Sequence, residues 1–298
     1  MNNPQTSRKA IVTLALGDRY LQHWKTTCEA NWRAYGAKHG FDVICLDQPL
    51  DDSTRARGRS ASWQKCLVLG QDFSSNYERI VWIDTDILIN LQAAPAIDAG
   101  LPPDKIGAAE EFSYSKNEGR YPQLALERGY AHWKNPIVNY RPQEFYTNYG
   151  LPNGFETVVQ AGVMVLSPRH HRALLEKIYY NYEEKGGPEW NYEMRPLSYE
   201  LLKADAVQWI DPRFNLMWVY LQLLYYPFLL NRKVDQSLAG RIRRKLAALM
   251  DAPSFTTTQR ACLTTAFLNS FFFHCGGGSL EELTLIDQNA VSIVDCSL

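Results

Sequence analysis

Two aspartates separated by one residue sit inside an apolar run, Arg79-Ile80-Val81-Trp82-Ile83-Asp84-Thr85-Asp86-Ile87-Leu88-Ile89. Packing gives no reason for them, because a buried, unpaired carboxylate costs several kcal/mol or titrates to neutrality. A cation must therefore meet Asp84 and Asp86. Both reach one point if the chain turns or bulges at Thr85. Mg²⁺ and Mn²⁺ take carboxylate oxygens and keep positions open for phosphates, so the pair reads as a metal–diphosphate site. A third candidate ligand lies far along the chain. His274 ends an apolar, aromatic segment and enters Cys275-Gly276-Gly277-Gly278. A neutral imidazole there can ligate a metal, and the glycines let backbone N–H groups approach an anion. Lys65 and Arg59 are candidates to meet phosphates; each can equally be a solvated surface charge.

These groups need a scaffold. Ile80 to Ile83 read as a strand buried on both faces, as in parallel sheets, with Ile87 to Ile89 as its continuation. The acidic pair then lies at the carboxyl end of a central strand, where open α/β sheets bind ligands. Upstream, residues 10–16 read as a strand broken by Gly17-Asp18. Tyr20, Leu21, Trp24, Cys28, Trp32 and Tyr35 follow at helical spacing. Gly40 is the expected stop and residues 41–46 a second strand. This β-α-β opening predicts parallel pairing with a right-handed crossover. It has neither Gly-x-Gly-x-x-Gly nor a Walker loop. A helix is expected over 61–73, buried through Trp63, Cys66, Leu67 and Leu69. A further buried strand over 158–168 carries Ala161-Gly162, which permits either close approach of another group or tight strand packing. Helices are expected over 171–184 and 196–204, and a strand over 207–210. His170 and His171 read as surface or capping residues.

Two stretches carry no regular period. Residues 110–152 contain Tyr114, Tyr121, Tyr130, Trp133, Tyr140, Tyr146 and Tyr149. They read as an acceptor-recognition loop or lid, or as an irregular helical excursion packed by its own aromatics. Residues 221–260 read as a helical insertion, apolar at first and then basic through Arg232, Lys233, Arg241, Arg243, Arg244 and Lys245. An internal or dimer-forming role is favoured over peripheral membrane contact through 221–250. The apolar run over 216–230 is too short and interrupted to span a bilayer.

The chain of 298 residues, 46% hydrophobic and 21% charged, is expected to form one α/β domain over 1–298, with its nucleotide-binding half over 10–95. A formal net charge of −1 argues against a nucleic-acid partner. Six scattered cysteines without a Cys-x-x-Cys pair read as thiols in a reducing compartment. With a polar stretch over residues 1–9, the expectation is a cytoplasmic protein, with peripheral contact at the inner membrane face as the alternative.

The order of these features resembles that of GT-A-fold glycosyltransferases, and most closely the glycogenin and lipopolysaccharide galactosyltransferase family of retaining enzymes. Five features carry the resemblance: Val12-Thr13-Leu14 followed by Asp18 and Tyr20; Lys65 on the helix before the metal strand; the strand around Asp84-Thr85-Asp86; Gln160-Ala161-Gly162-Val163; and His274 with Gly277. The resemblance implies a mostly parallel, Rossmann-like central sheet flanked by helices, and transfer from a nucleotide-sugar donor, UDP-linked by preference. The acceptor would be a hydroxyl of a sugar, peptide or small molecule. Asp84, Asp86 and His274 would hold Mn²⁺ or Mg²⁺, with Asp84 also near the ribose. Leu14, Ala15, Gly17 and Tyr20 would line the base. Arg59, Trp63, Lys65, Thr85, Ala161, Gly162 and Gly277 would contact the nucleotide sugar, and Gln160 and Glu200 would face the reacting centre. The sequence departs from the family at three places. Gln160 stands where Asn is common, Ser279-Leu280 replace Lys-Pro-Trp, and Glu200 alone represents an acidic cluster. Two other readings are a sugar-nucleotidyltransferase, disfavoured because Ala15-Leu16-Gly17-Asp18 is neither basic nor Gly-rich, and a non-catalytic carbohydrate-binding relative.

Overall fold

The computed structural model describes residues 8–111, 142–185, 193–230, 255–276 and 280–290. Its main sheet has six strands: β1 (Lys9–Leu14), β2 (Phe41–Leu46), β3 (Arg79–Ile83), β5 (Ile106–Glu110), β6 (Val159–Leu166) and β7 (Val207–Trp209). Their order is β2-β1-β3-β6-β5-β7. β1 runs parallel to β2 and β3, and β7 parallel to β5, while β6 is antiparallel to both neighbours. Five of the six strands therefore share one direction, the mostly parallel α/β sheet expected from the sequence.

The central strands are apolar on both faces because both faces are covered. Val81, Ile83, Val163 and Val165 point into one core with Trp24, Trp32 and Tyr35. Ile80, Trp82, Met164 and Leu166 point into the other, with Trp63, Leu175 and Leu197. The first face is covered by a helix running from Asp18 to His39 through a π turn at Trp24–Cys28. Gly40, at φ 77°, ends it in the left-handed conformation that favours glycine at a helix end. The second face is covered by the 3₁₀ segment Ala61–Gly70 and the helices Pro168–Asn181 and Met194–Lys203. His171 is buried at the start of the first of these helices, where its Nδ1 accepts the Ser167 N–H at 2.9 Å.

Residues 87–89 do not continue β3. They form β4 (Ile87–Ile89) in a separate sheet with β8 (Leu216–Met217) and β9 (Phe272–His274), in the order β4-β9-β8. The carboxylates force the change, because a strand buried on both faces has no place for them. Asp84 N–H makes a last bond across the main sheet to Gly162 C=O at 2.9 Å, and Asp86 C=O already accepts Cys275 N–H at 3.0 Å. The acidic pair thus bridges two sheets. The outer edge of β4 is satisfied by the Asp18–His39 helix rather than by another strand. Asn31 exchanges two hydrogen bonds with the Ile89 backbone, at 2.8 and 2.9 Å, and Trp32 Nε1–H donates to Ile87 C=O at 3.0 Å.

Tyr114, Tyr121, Tyr130, Trp133 and Tyr140 lie outside the described residues, as do the six basic residues from Arg232 to Lys245. The described end of the aromatic stretch is the helix Pro142–Thr147, whose Phe145 and Tyr146 are core residues. The insertion contributes the helix Trp218–Tyr225, the turn Pro227–Leu230 and the helix Phe255–Leu268. Among the described residues, no helix is long and apolar enough to cross a membrane.

Candidate functional site

β4 and β9 pair with Ile87 opposite His274, which sets the imidazole beside Asp86. His274 Nε2 lies 3.2 Å from Asp86 Oδ1. One ligand atom from each of Asp84, Asp86 and His274 lies within 4.8 Å of the other two. Glycine makes room for the ring on both sides. A Cβ on Gly162 would sit 2.5 Å from His274 Cε1, and one on Gly276 would sit 2.8 Å from Nε2. The group that approaches the Ala161-Gly162 backbone is thus the imidazole itself. Two carboxylates and an imidazole nitrogen, held apart by no more than a shared cation would span, fit Mn²⁺ or Mg²⁺.

Electrostatics favour the same cation. Burial, reinforced by the like charge of Asp86, pushes the Asp84 carboxyl above its ordinary range. Burial opposes ionisation of Asp86 too, but His274 outweighs it and holds that carboxyl low. His274 itself is raised, burial being overcome by Asp86 and Asp84. Behind Asp84 sits Lys65, 2% exposed. Its ammonium reaches Asp84 Oδ1 at 3.2 Å, Glu193 Oε1 at 2.8 Å and Ala161 C=O at 3.2 Å. Burial disfavours its charge, yet Asp84 and Glu193 together raise its pKa above that of a free lysine. Three donors meet three acceptors. Lys65 is thereby committed to holding Asp84 in place. Trp82 Nε1–H fixes the same carboxylate at 2.7 Å.

The cluster opens into a cavity of about 400 Å³. Leu14, Tyr20, Lys65, Asp84, Thr85, Asp86, Gln160, Ala161, Gly162 and His274 line it, all residues singled out in the sequence. Leu16 joins Leu14 and Tyr20 in forming an apolar and aromatic end. Five expected contacts are elsewhere or undescribed. Ala15 is fully buried in the core, and Gly17, at φ 82°, precedes the first helix; neither lines the cavity. The Arg59 guanidinium is turned to Tyr179 C=O at 2.8 Å and Glu183 Oε2 at 2.6 Å, stacked on Trp63 at 4.5 Å. Trp63 is a core residue whose Nε1–H donates to Glu184. Gly277 lies outside the described residues.

Glu200 also turns away from the cavity. It accepts Tyr182 O–H at 2.6 Å and Lys177 Nζ at 3.1 Å, on the flank that packs against the Pro168–Asn181 helix. The carboxylate that the Met194–Lys203 helix does present is Glu193, immediately before its first turn, seven residues earlier and two turns away. Sequence reading also passes over Glu111, at the cavity wall. Tyr220 O–H donates to its Oε1, and the Gln160 amide also faces this carboxylate. Burial raises the Glu111 pKa. Asn215, 3% exposed, is a third such residue: its Oδ1 lies 2.7 Å from His274 Nδ1. It stands in the run Phe214-Asn215-Leu216-Met217-Trp218, so the logic that marks Asp84 would have marked it.

No family model matches the sequence, and no curated protein does. Among solved structures, the chain is similar to a glycosyltransferase involved in glycosylation of the major capsid of PBCV-1, with 13% identity over 93% of this chain and 96% of that one and a TM-score of 0.50. It also aligns with the galactosyltransferase LgtC, solved with donor and acceptor sugar analogs, at 15% identity over 92% and 94% of the two chains, TM-score 0.47. The first of these likenesses establishes a shared fold, and with the strand order above it bears out the GT-A architecture.

Proposed function

We propose that this chain is a metal-dependent glycosyltransferase that moves a sugar from a nucleotide diphosphate donor, UDP-linked by preference, to a hydroxyl acceptor with retention at the anomeric carbon. The observation that carries the reading is the convergence of Asp84, Asp86 and His274, from two sheets, on one end of the cavity. A bound Mn²⁺ or Mg²⁺ would neutralise charge developing on the departing diphosphate. Asp84, Asp86 and His274 would hold it, and Lys65 would hold Asp84. Tyr20, half exposed, and Leu14 and Leu16 beside it form an apolar surface of the kind a base needs. Glu193 and Glu111 also line the cavity, and their carboxylate oxygens can accept hydrogen bonds from sugar hydroxyls. A formal charge of −1 suits a small anionic donor bound through a metal better than a polyanion bound through bulk charge.

The test is donor turnover. The protein is incubated with a panel of UDP- and GDP-sugars, with Mn²⁺ or with EDTA, and nucleotide release is followed. Release from a UDP-sugar that needs metal and disappears in Asp86→Ala, with folding intact by circular dichroism, supports the proposal. Metal-independent release, or activity unchanged in Asp86→Ala, refutes it.

A further inference from the structure

The oxygen and nitrogen ends of the buried amides beside His274 are dictated by a group that can only donate. Gly162 N–H points at Gln160 Oε1 at 2.5 Å. That oxygen is an acceptor, so the Gln160 amide nitrogen faces the other way, towards Met217 Sδ at 3.4 Å. The same oxygen receives Asn215 Nδ2–H at 2.6 Å. Asn215 is thereby oriented too, with its carbonyl Oδ1 facing His274 Nδ1 at 2.7 Å. A carbonyl oxygen only accepts. Nδ1 must carry a hydrogen, so the ring nitrogen free to exchange its proton for a cation is Nε2, on the Asp86 side, 3.2 Å from Oδ1, to which it donates in the metal-free protein. Gln160, Asn215 and His274 are 7%, 3% and 3% exposed, so water has little access to replace a link.

We infer that Asn215, oriented by Gln160, is a positioning residue that fixes the nitrogen roles of His274 and so presents Nε2 to the cation. The inference rests on the metal reading of the Asp84–Asp86–His274 cluster. The backbone keeps the relay in register. Asn215 ends the turn Pro212–Asn215, immediately before β8, and β8 pairs with β9 through Leu216–Phe273 and Met217–His274. The separation of Asn215 and His274 is thus set by a strand pair. Gln160, expected to face the sugar, spends its carbonyl oxygen inward on two donors. Partners of this kind, behind a ligating imidazole, orient the ring and raise its basicity.

Two measurements on the full chain test this. Long-range ¹H–¹⁵N spectra of histidine-labelled protein, recorded with Mg²⁺ present, report which nitrogen of His274 keeps its hydrogen beside the cation. Calorimetric titration with Mn²⁺ reports affinity. Wild type is expected to show the Nδ1–H tautomer. Asn215→Leu, which keeps the shape and removes the acceptor, should move the hydrogen to Nε2 and weaken Mn²⁺ binding by ~10–100-fold. Gln160→Leu should do the same through Asn215, and add nothing in the Asn215→Leu background. The other five imidazoles, unmoved, report that the fold is intact. An Nε2–H tautomer in wild type, or unchanged tautomer and affinity in Asn215→Leu, overturns the inference. A wild type that shows Nδ1–H but binds no Mn²⁺ instead refutes the metal reading on which it rests.

Discussion

Replacing Gly162 with alanine adds one methyl group to a position with no room for it. The new Cβ would lie 2.5 Å from His274 Cε1 and 2.9 Å from both His274 Nδ1 and Gln160 Oε1, where ordinary contact begins at 3.4 Å. The ring must retreat by about 0.9 Å, the difference between 3.4 and 2.5 Å. It has nowhere to go. Gly276 backs the other side, where even a Cβ would sit 2.8 Å from Nε2, and Asn215 holds Nδ1 at 2.7 Å. Gly162 is not in the left-handed region, so the backbone itself tolerates alanine and the cost is steric. Overpacking of this kind costs ~1–3 kcal/mol. At roughly 2–4 °C per kcal/mol, Tm should fall by about 2–12 °C. The effect on metal should be larger than on stability, because ligand distances are held to about ±0.2 Å. Mn²⁺ affinity, by calorimetry, should fall by at least the ~10–100-fold that losing a partner behind a ligand costs. The same substitution made in a His274→Ala background should cost no further affinity, since the clash with the ring is gone and the remaining one, with Gln160, reaches the cation only through that ring. Wild-type Mn²⁺ affinity in Gly162→Ala, or an undiminished loss in the double mutant, would refute the placement of the imidazole against β6.

The titration of His274 gives opposite signs to the apoprotein and the metal complex. Its raised folded pKa contributes stability to the apoprotein that is complete below about pH 6.5 and lost as pH rises through the folded value. Metal binding needs the ring deprotonated, so the Tm difference between Mn²⁺ and EDTA should widen from pH 6 to about pH 8.5 by thermal melts, and a flat difference would contradict it. Lys65→Met leaves the Asp84 and Glu193 carboxylates buried without their cation and should cost ~3–5 kcal/mol in urea unfolding, as breaking a buried pair does. Glu200→Gln should leave Mn²⁺–UDP affinity unchanged, because Glu200 faces Lys177 and Tyr182; a lost affinity would place it at the reacting centre after all.

Much of the architecture is legible because it rests on local pattern. β3, β6 and the Asp18–His39 helix each bury a full set of apolar side chains, and Gly40 stops the helix where expected. Asp84, Asp86 and His274 are legible by contradiction, as groups that ionise or ligate within runs that otherwise only pack. What the sequence hides is direction and partnership. Three apolar residues, Ile87 to Ile89, read alike whether they prolong β3 or begin a second sheet. The Ala161-Gly162 pair announces a close approach without naming His274 as what approaches. Glu193 is hidden for a different reason: in Glu189-Trp190-Asn191-Tyr192-Glu193 it looks no more buried than Glu189, and only its contact with Lys65 distinguishes it. Glu200 is the converse. It stands on the correct helix, but two turns past the cavity, a distinction that needs the helix's docking angle rather than its sequence.

Calorimetric titration of UDP into wild type and Asp86→Ala, each with Mn²⁺ and with EDTA, tests the central claim most directly. Tight UDP binding to wild type that needs Mn²⁺ and is lost in Asp86→Ala is the predicted result. UDP binding indifferent to both metal and Asp86, or no binding under any condition, would contradict it.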